Sequence, residues 1–202
     1  GLSRDGRGMR EMKENKSLRN ISMTGLMAAL SYVVFTFLQF KIPIGTGDAT
    51  SIHLGNAVCV LGALLFSGWV GGLGGAIGMT LGDLFDPMYV IYAPKTFVCK
   101  LGIGLITGLV AHKVLHIEDE KDPKTLVAKS TLAGAAGLAF NVVADPLIGY
   151  FYKLFILGKP AADVALVFNL GSTGFNAVIS LIASVAVYAA LRPAMKKAGL
   201  AA

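Results

Sequence analysis

The chain has 202 residues, 54% of them hydrophobic and only 15% charged, with a formal net charge of +6. Soluble domains carry about 25% charged residues, and the mean hydropathy here is +0.66. An ordinary water-soluble domain is thereby excluded in favour of an all-α integral membrane protein. No phosphate-cradling loop or zinc spacing is visible, so no ATP site, metal or cofactor is expected in the chain, and no nucleic-acid partner.

Residues 1–16 read as a basic N-terminal extension. Its opening "GLSRDGRG" precedes Met9, matches no structural pattern and is expected to be an expression-tag remnant. Residues 17–192 read as one membrane domain and 193–202 as a tail. Six apolar segments are expected, beginning with about Leu18–Phe40. The second and third, about Ile52–Phe66 and Val70–Leu84, form a hairpin joined by "SGW". Cys59 and Cys99 sit inside apolar runs and read as small buried hydrophobes. The fourth segment is about Pro94–Val114, with Pro94 suited to a first helical turn. The fifth starts near Thr125, and Asp145-Pro146 is expected to end or kink it. "PLIGYFYKLFILGKP" then reads as an interfacial stretch, with Tyr150, Phe151, Tyr152 and Phe155 at the headgroup boundary. The sixth is about Val164–Leu191.

Lysine and arginine set the expected orientation. With the N-terminus inside, thirteen basic residues fall inside and five outside. The positive-inside rule then places both termini of a six-helix bundle in the cytoplasm. The acidic loop "HIEDEKDPK" reads as a solvated cytoplasmic turn.

In this frame the intramembrane polar residues gather in the outer half. His53 and Asn56 open segment two, and Asp83 closes segment three. Lys100 lies in segment four, Asn141 and Asp145 late in segment five, and Asn169, Ser172 and Asn176 early in segment six. The inner halves read as Ala, Gly, Val, Leu and Ile. Charges at membrane depth face a cavity or a partner, so the pattern suggests a cup that opens outward and is closed inward. Tyr89 and Tyr92 stand beside it. The loop "KIPIGTGDATS", with Asp48 and Thr46 as donors and acceptors, reads either as a lid or as an ordinary surface loop. Aromatic faces with amides and carboxylates suit a small, flat, nitrogen-bearing ring. Small residues mark two further faces. Glycines at small-xxx-small spacing along segment three suit packing within the bundle. Gly25, Ala28 and Ala29 on segment one suit a partner protein as well as a neighbouring helix.

The order of these features resembles the substrate-binding S component of energy-coupling factor (ECF) vitamin transporters. The resemblance rests on "GLMAALSYVVF", on "SIHLGNAVCVLGALLFSGWVGGLGGAIGMTLGDLF" and on "YAPKTFVCKLGIGLITGLVA". It is greatest with the riboflavin-type branch, which also includes pyrimidine and pyridine vitamin carriers. It implies six helices in a bacterial plasma membrane, an outward vitamin site and no catalysis by the chain itself. It also implies docking of helix one, at Gly25, Ala28 and Ala29, on a transmembrane coupling subunit that works with two ATPase subunits. From the residues alone, a stand-alone secondary transporter is the rival reading. That class favours inverted repeats and a mid-membrane site, and neither is evident.

Overall fold

A computed structural model describes residues 4–45, 47–160 and 162–202. Helix α1 (Arg4–Phe37) leads into a two-stranded antiparallel hairpin, β1 (Gln39–Pro43) and β2 (Ala49–His53). Then come α2 (Gly55–Leu65), α3 (Gly68–Leu84), α4 (Ala93–Gly108), α5 (Pro123–Phe151) and α6 (Ala162–Lys197). A π-helical turn extends α4 over Leu109–Val114, and another extends α5 over Tyr152–Leu157. Four helical stretches are long and apolar enough to cross a membrane: Gly6–Phe37, Val90–Val114, Pro123–Leu157 and Ala162–Lys197. At about 1.5 Å per residue, the 11 residues of α2 and 17 of α3 are shorter rods inside this frame.

Helix α3 is the hub, and its glycines make it one. A Cβ on Gly78 would fall on the Ser31 hydroxyl and the Ala28 carbonyl of α1, and one on Gly71 would meet the α2 backbone at Cys59 and Ala63. The small-xxx-small spacing of α3 therefore serves contact within the bundle, as its sequence suggests. The Ser31 hydroxyl crosses the α1–α3 contact to the Gly74 carbonyl at 3.1 Å. Between α2, α3, α4, α5 and α6 lies an apolar core that includes Val60, Leu64, Met79, Ile103, Leu138 and Tyr188. Cys59 and Cys99 are free and fully buried in apolar surroundings.

Several local expectations are corrected. The segment before Met9 is helical from Arg4 onward, continuous with α1. Part of the Lys41–Ser51 loop is sheet, registered Gln39↔His53 to Pro43↔Ala49, and it turns through Gly45 and Gly47 at φ +83° and +75°. Those values lie in the left-handed region that glycine tolerates. Thr46 lies outside the described residues. Pro146 does not end α5, which runs on to Phe151 and, through its π turn, to Leu157. A helical proline lacks one N–H and costs stability. Here Asp145 is tied to two lysines of α4, and that tie holds the turn in place. The stretch read as interfacial is thus a helical continuation, and it buries Lys153.

The end of the bundle opposite the hairpin is not purely aliphatic. Thr107, Ser130, Ser180, Ser184 and Tyr188 are all buried. The acidic loop there is anchored and not freely solvated. Ile117 is fully buried, Glu120 pairs with Lys129 at 2.7 Å, and Arg192 Nη2 donates to the carbonyls of Ile117 and Glu120 at 2.9 and 3.0 Å.

Candidate functional site

At the hairpin end the elements enclose a cavity of about 670 Å³, including the part open to the outside. Each wall has a local cause. Strand β2 is pinned to α6 at three points. Asn176 accepts from the His53 N–H at 3.1 Å and donates to the Ser51 carbonyl at 2.9 Å, and Thr50 hydrogen-bonds Ser172. Ser172 and Asn176 lie one helical turn apart on α6, and together they reach the Thr50 side chain and the backbone of Ser51 and His53 on β2. The amide of Asn176 is occupied by the strand rather than free for a ligand.

The opposite wall comes from α3, α4 and α5. Thr96 donates to Asp83 at 2.5 Å. Lys95 and Lys100 share Asp145, at 2.5 and 3.4 Å. Lys100 is buried, with a side chain 5% exposed, and that carboxylate is its ion-pair partner. At the rim, Lys153 reaches Asp48 at 2.9 Å and Lys159 at 3.8 Å, while the Tyr92 hydroxyl donates to Asp48 at 2.8 Å. Burial resists ionisation of Asp48, but the hydrogen bonds from Lys153 and Tyr92, with the charge of Lys159, hold its carboxyl below the usual carboxylate range. The ammonium groups of Lys95, Lys153 and Lys159 stand 5.3–5.7 Å from the Tyr92 ring centroid, in cation–π range.

His53 accepts from the Gly55 N–H through Nδ1 at 3.0 Å, which places the proton of a neutral ring on Nε2. Its ring meets Phe35 edge-on at 4.9 Å. Asn56 lines the floor at 1% exposure, and its Oδ1 has no hydrogen-bond partner among the described residues. A buried unpaired carbonyl costs roughly 1–3 kcal/mol, so this oxygen is the clearest open valence in the cavity.

The residues singled out from sequence divide accordingly. His53, Asn56, Asp83, Tyr89, Tyr92, Lys100, Asp145, Asn169, Ser172 and Asn176 all line the cavity. Asp48 stands behind Tyr92 as an anchor. Asn141 is buried with Oδ1 unpaired but is not among the lining residues, because it lies one turn along α5 from Asp145. Thr96, Lys153 and Thr173 line the cavity without having been anticipated, and Lys95, which the sequence places beside Lys100 in the outer turns of segment four, lines it too. Lys95 and Lys153 carried a signal: each is a cation at the edge of an apolar run. On α1, Gly25 and Ala29 are exposed, whereas Ala28 is half-buried against α3.

Residues 15–193 match the family described as ECF-type riboflavin transporter, S component. Comparison with curated proteins and with solved structures finds no match. The family match spans the entire cavity-forming bundle, and on that ground the chain belongs to the S components of ECF-type transporters, multi-pass membrane proteins of vitamin-type uptake.

Proposed function

We propose that the chain captures a small heterocyclic vitamin or precursor at the hairpin end, which faces outward. It then delivers the molecule inward together with an ATP-driven ECF module. In this reading α2 and α3 complete six spans, and both termini are cytoplasmic. The observation that carries it is the convergence of one leaflet's polar side chains on a single cavity beneath a pinned β-hairpin. Lys95, Lys100 and Lys153 line this cavity and Lys159 lies 5.3 Å from the Tyr92 ring; Lys95 and Lys100 share the one carboxylate of Asp145, and Lys153 and Lys159 that of Asp48. What remains open is Asn56 Oδ1 and the Tyr89 hydroxyl, neither with a hydrogen-bond partner among the described residues, beside the Asp83 carboxylate and the rings of Tyr92 and Phe35. That set suits a small flat ring that both donates and accepts hydrogen bonds.

The exposed small residues Gly25 and Ala29 leave a close-approach face on α1 for the coupling subunit. Ala29→Trp is expected to abolish assembly with that subunit while leaving ligand binding intact. Ala28→Trp disturbs the α1–α3 contact as well.

Native mass spectrometry of the purified chain, followed by titration with the compound it carries, tests the capture reading. A bound heterocycle lost on Asn56→Leu supports it. Tight binding that survives Asn56→Leu and Asp83→Leu places the site elsewhere. ATP-independent uptake by the chain alone in liposomes would favour a secondary transporter.

A further inference from the structure

A second cavity, of about 890 Å³ including its open part, lies beside the first. It is bounded by Thr36 and Gln39 at the end of α1, by Gly82 at the end of α3, and by Phe85 and Pro87. The two linings draw on neighbouring residues of the same helices. Phe35 lines the first cavity and Thr36 the second; Asp83 lines the first and Gly82 the second. Across the remaining gap stand Lys41 and Asp86, an ion pair that lines the second cavity. The Lys41 ammonium also lies 5.1 Å from the ring centroid of Tyr89, which lines the first. Phe85 of its lining is 74% exposed, and Phe37 and Phe40, next in sequence to its lining residues Thr36, Gln39 and Lys41, are 71% and 76% exposed. In a membrane protein such exposed rings belong at the lipid boundary. Yet Thr36 Oγ1 and Gln39 Oε1 are shut off from solvent with no hydrogen-bond partner among the described residues. A groove that only met lipid would gain nothing from those oxygens.

We infer that this second cavity is a side vestibule through which a small amphipathic ring reaches the capture site from the bilayer boundary, with the Lys41–Asp86 pair as its gate. The inference rests on the capture reading for the identity of the passenger, but not for the route. The gate joins β1 to the α3–α4 connection, whereas β2 is fixed to α6, so it can open without unpinning the strand that walls the site. Asp86 also accepts from the Met88 N–H at 2.9 Å, so Asp86→Asn removes the charge while keeping an acceptor for the turn.

The test needs no substrate. In a chain with Cys59 and Cys99 replaced by alanine, Thr173→Cys places a thiol on the cavity wall. Its modification by 2-aminoethyl methanethiosulfonate is followed by intact-mass spectrometry in nanodiscs. Asp86→Asn and Lys41→Ala are each expected to speed modification at least tenfold, and Thr36→Trp to slow it at least tenfold. Rates unchanged by both gate variants and by Thr36→Trp would overturn the vestibule and put access over the hairpin turn. Thermal unfolding of each variant separates a blocked route from a damaged fold. Loss of substrate binding with the rate pattern intact would sink the capture reading and leave the route standing.

Discussion

The two ends of the bundle use polar side chains differently. At the hairpin end, Asp145, Lys95, Lys100, Asp83 and Asn56 converge on open space, and at least one acceptor is left unpaired. At the opposite end, several polar groups close on the protein's own backbone, and those without a partner among the described residues, including Thr107 Oγ1, Ser180 Oγ and Arg192 Nε, line neither cavity. Arg192 caps the carbonyls of Ile117 and Glu120, and Lys196 caps that of Glu118. His112 places Nε2 2.7 Å from the Ala63 carbonyl at the last turn of α2 and Nδ1 3.1 Å from the Glu118 carboxylate. Depth and charge alone do not separate these ends. Leftover hydrogen-bonding valence around a void does, and that is what marks a site.

The sharpest way to break this comparison is at the buried ion pairs. Asp145→Leu leaves Lys95 and Lys100 buried without a carboxylate. Removing one member of a buried pair costs roughly 3–5 kcal/mol, so a large fall in thermal stability is expected together with loss of ligand binding. At the opposite end Arg192→Leu frees carbonyls that can reach water, and charged hydrogen bonds are worth about 1.5–3 kcal/mol. Its expected signature is a smaller stability loss with affinity retained, read by thermal unfolding and titration on the same sample. Equal effects of the two variants on affinity would erase the distinction.

A finer cut lies within the hairpin end, between residues that touch a ligand and residues that hold the wall. Asn56→Leu removes the open acceptor and is expected to weaken binding about tenfold, at ~1.4 kcal/mol per decade. Asn176→Leu releases two backbone groups of β2. Its loss of affinity should come with faster hydrogen exchange across Ala49–His53, which Asn56→Leu does not cause. Asn141→Leu, away from the lining, should change affinity little.

Much of this division could be read from sequence for a simple reason. Polar residues in long apolar runs are rare and costly, so His53, Asn56, Asp83, Lys100, Asp145, Asn169 and Asn176 stood out, and they do meet at one cavity. What was not legible is pairing. No pattern announces that Asn176 serves β2, because "ATSIH" is short and its partner strand lies across a glycine turn. Lys153 merged into the count of basic residues at one end, and the partners of Lys95 and Lys153 were not legible, since only the fold brings them to Asp145 and Asp48. Of the two outcomes expected at Asp145-Pro146, an end of the helix is ruled out, because α5 runs on to Phe151 with Pro146 inside it. Ser180 and Ser184 escaped notice because small hydroxyls barely interrupt an apolar helix, although both are buried.

The smallest expected effect concerns pH at the end away from the hairpin. Glu118 lies in the loop between α4 and α5, with its side chain 32% exposed. Its burial opposes ionisation. Its own backbone N–H, the hydrogen bond from His112 and the charges of His112 and His116 outweigh that, so its carboxyl sits below its ordinary value of 4.5. A carboxylate with a depressed folded value stabilises fully above its unfolded value, and the contribution fades as pH falls through the folded one. From pH 7 to 5 the anchored loop should therefore hold steady, and it should loosen only below about 4.5. The worth of such a part-exposed pair is about 0.5 kcal/mol, too little to unfold the bundle but enough to raise amide exchange two- to threefold across residues 115–122. Glu118→Gln should show the raised exchange at neutral pH and a flat response on acidification. If the wild-type loop loosened instead between pH 7 and 5, protons would be acting on some group other than Glu118, and the His112–Glu118 contact would not be what holds this end closed.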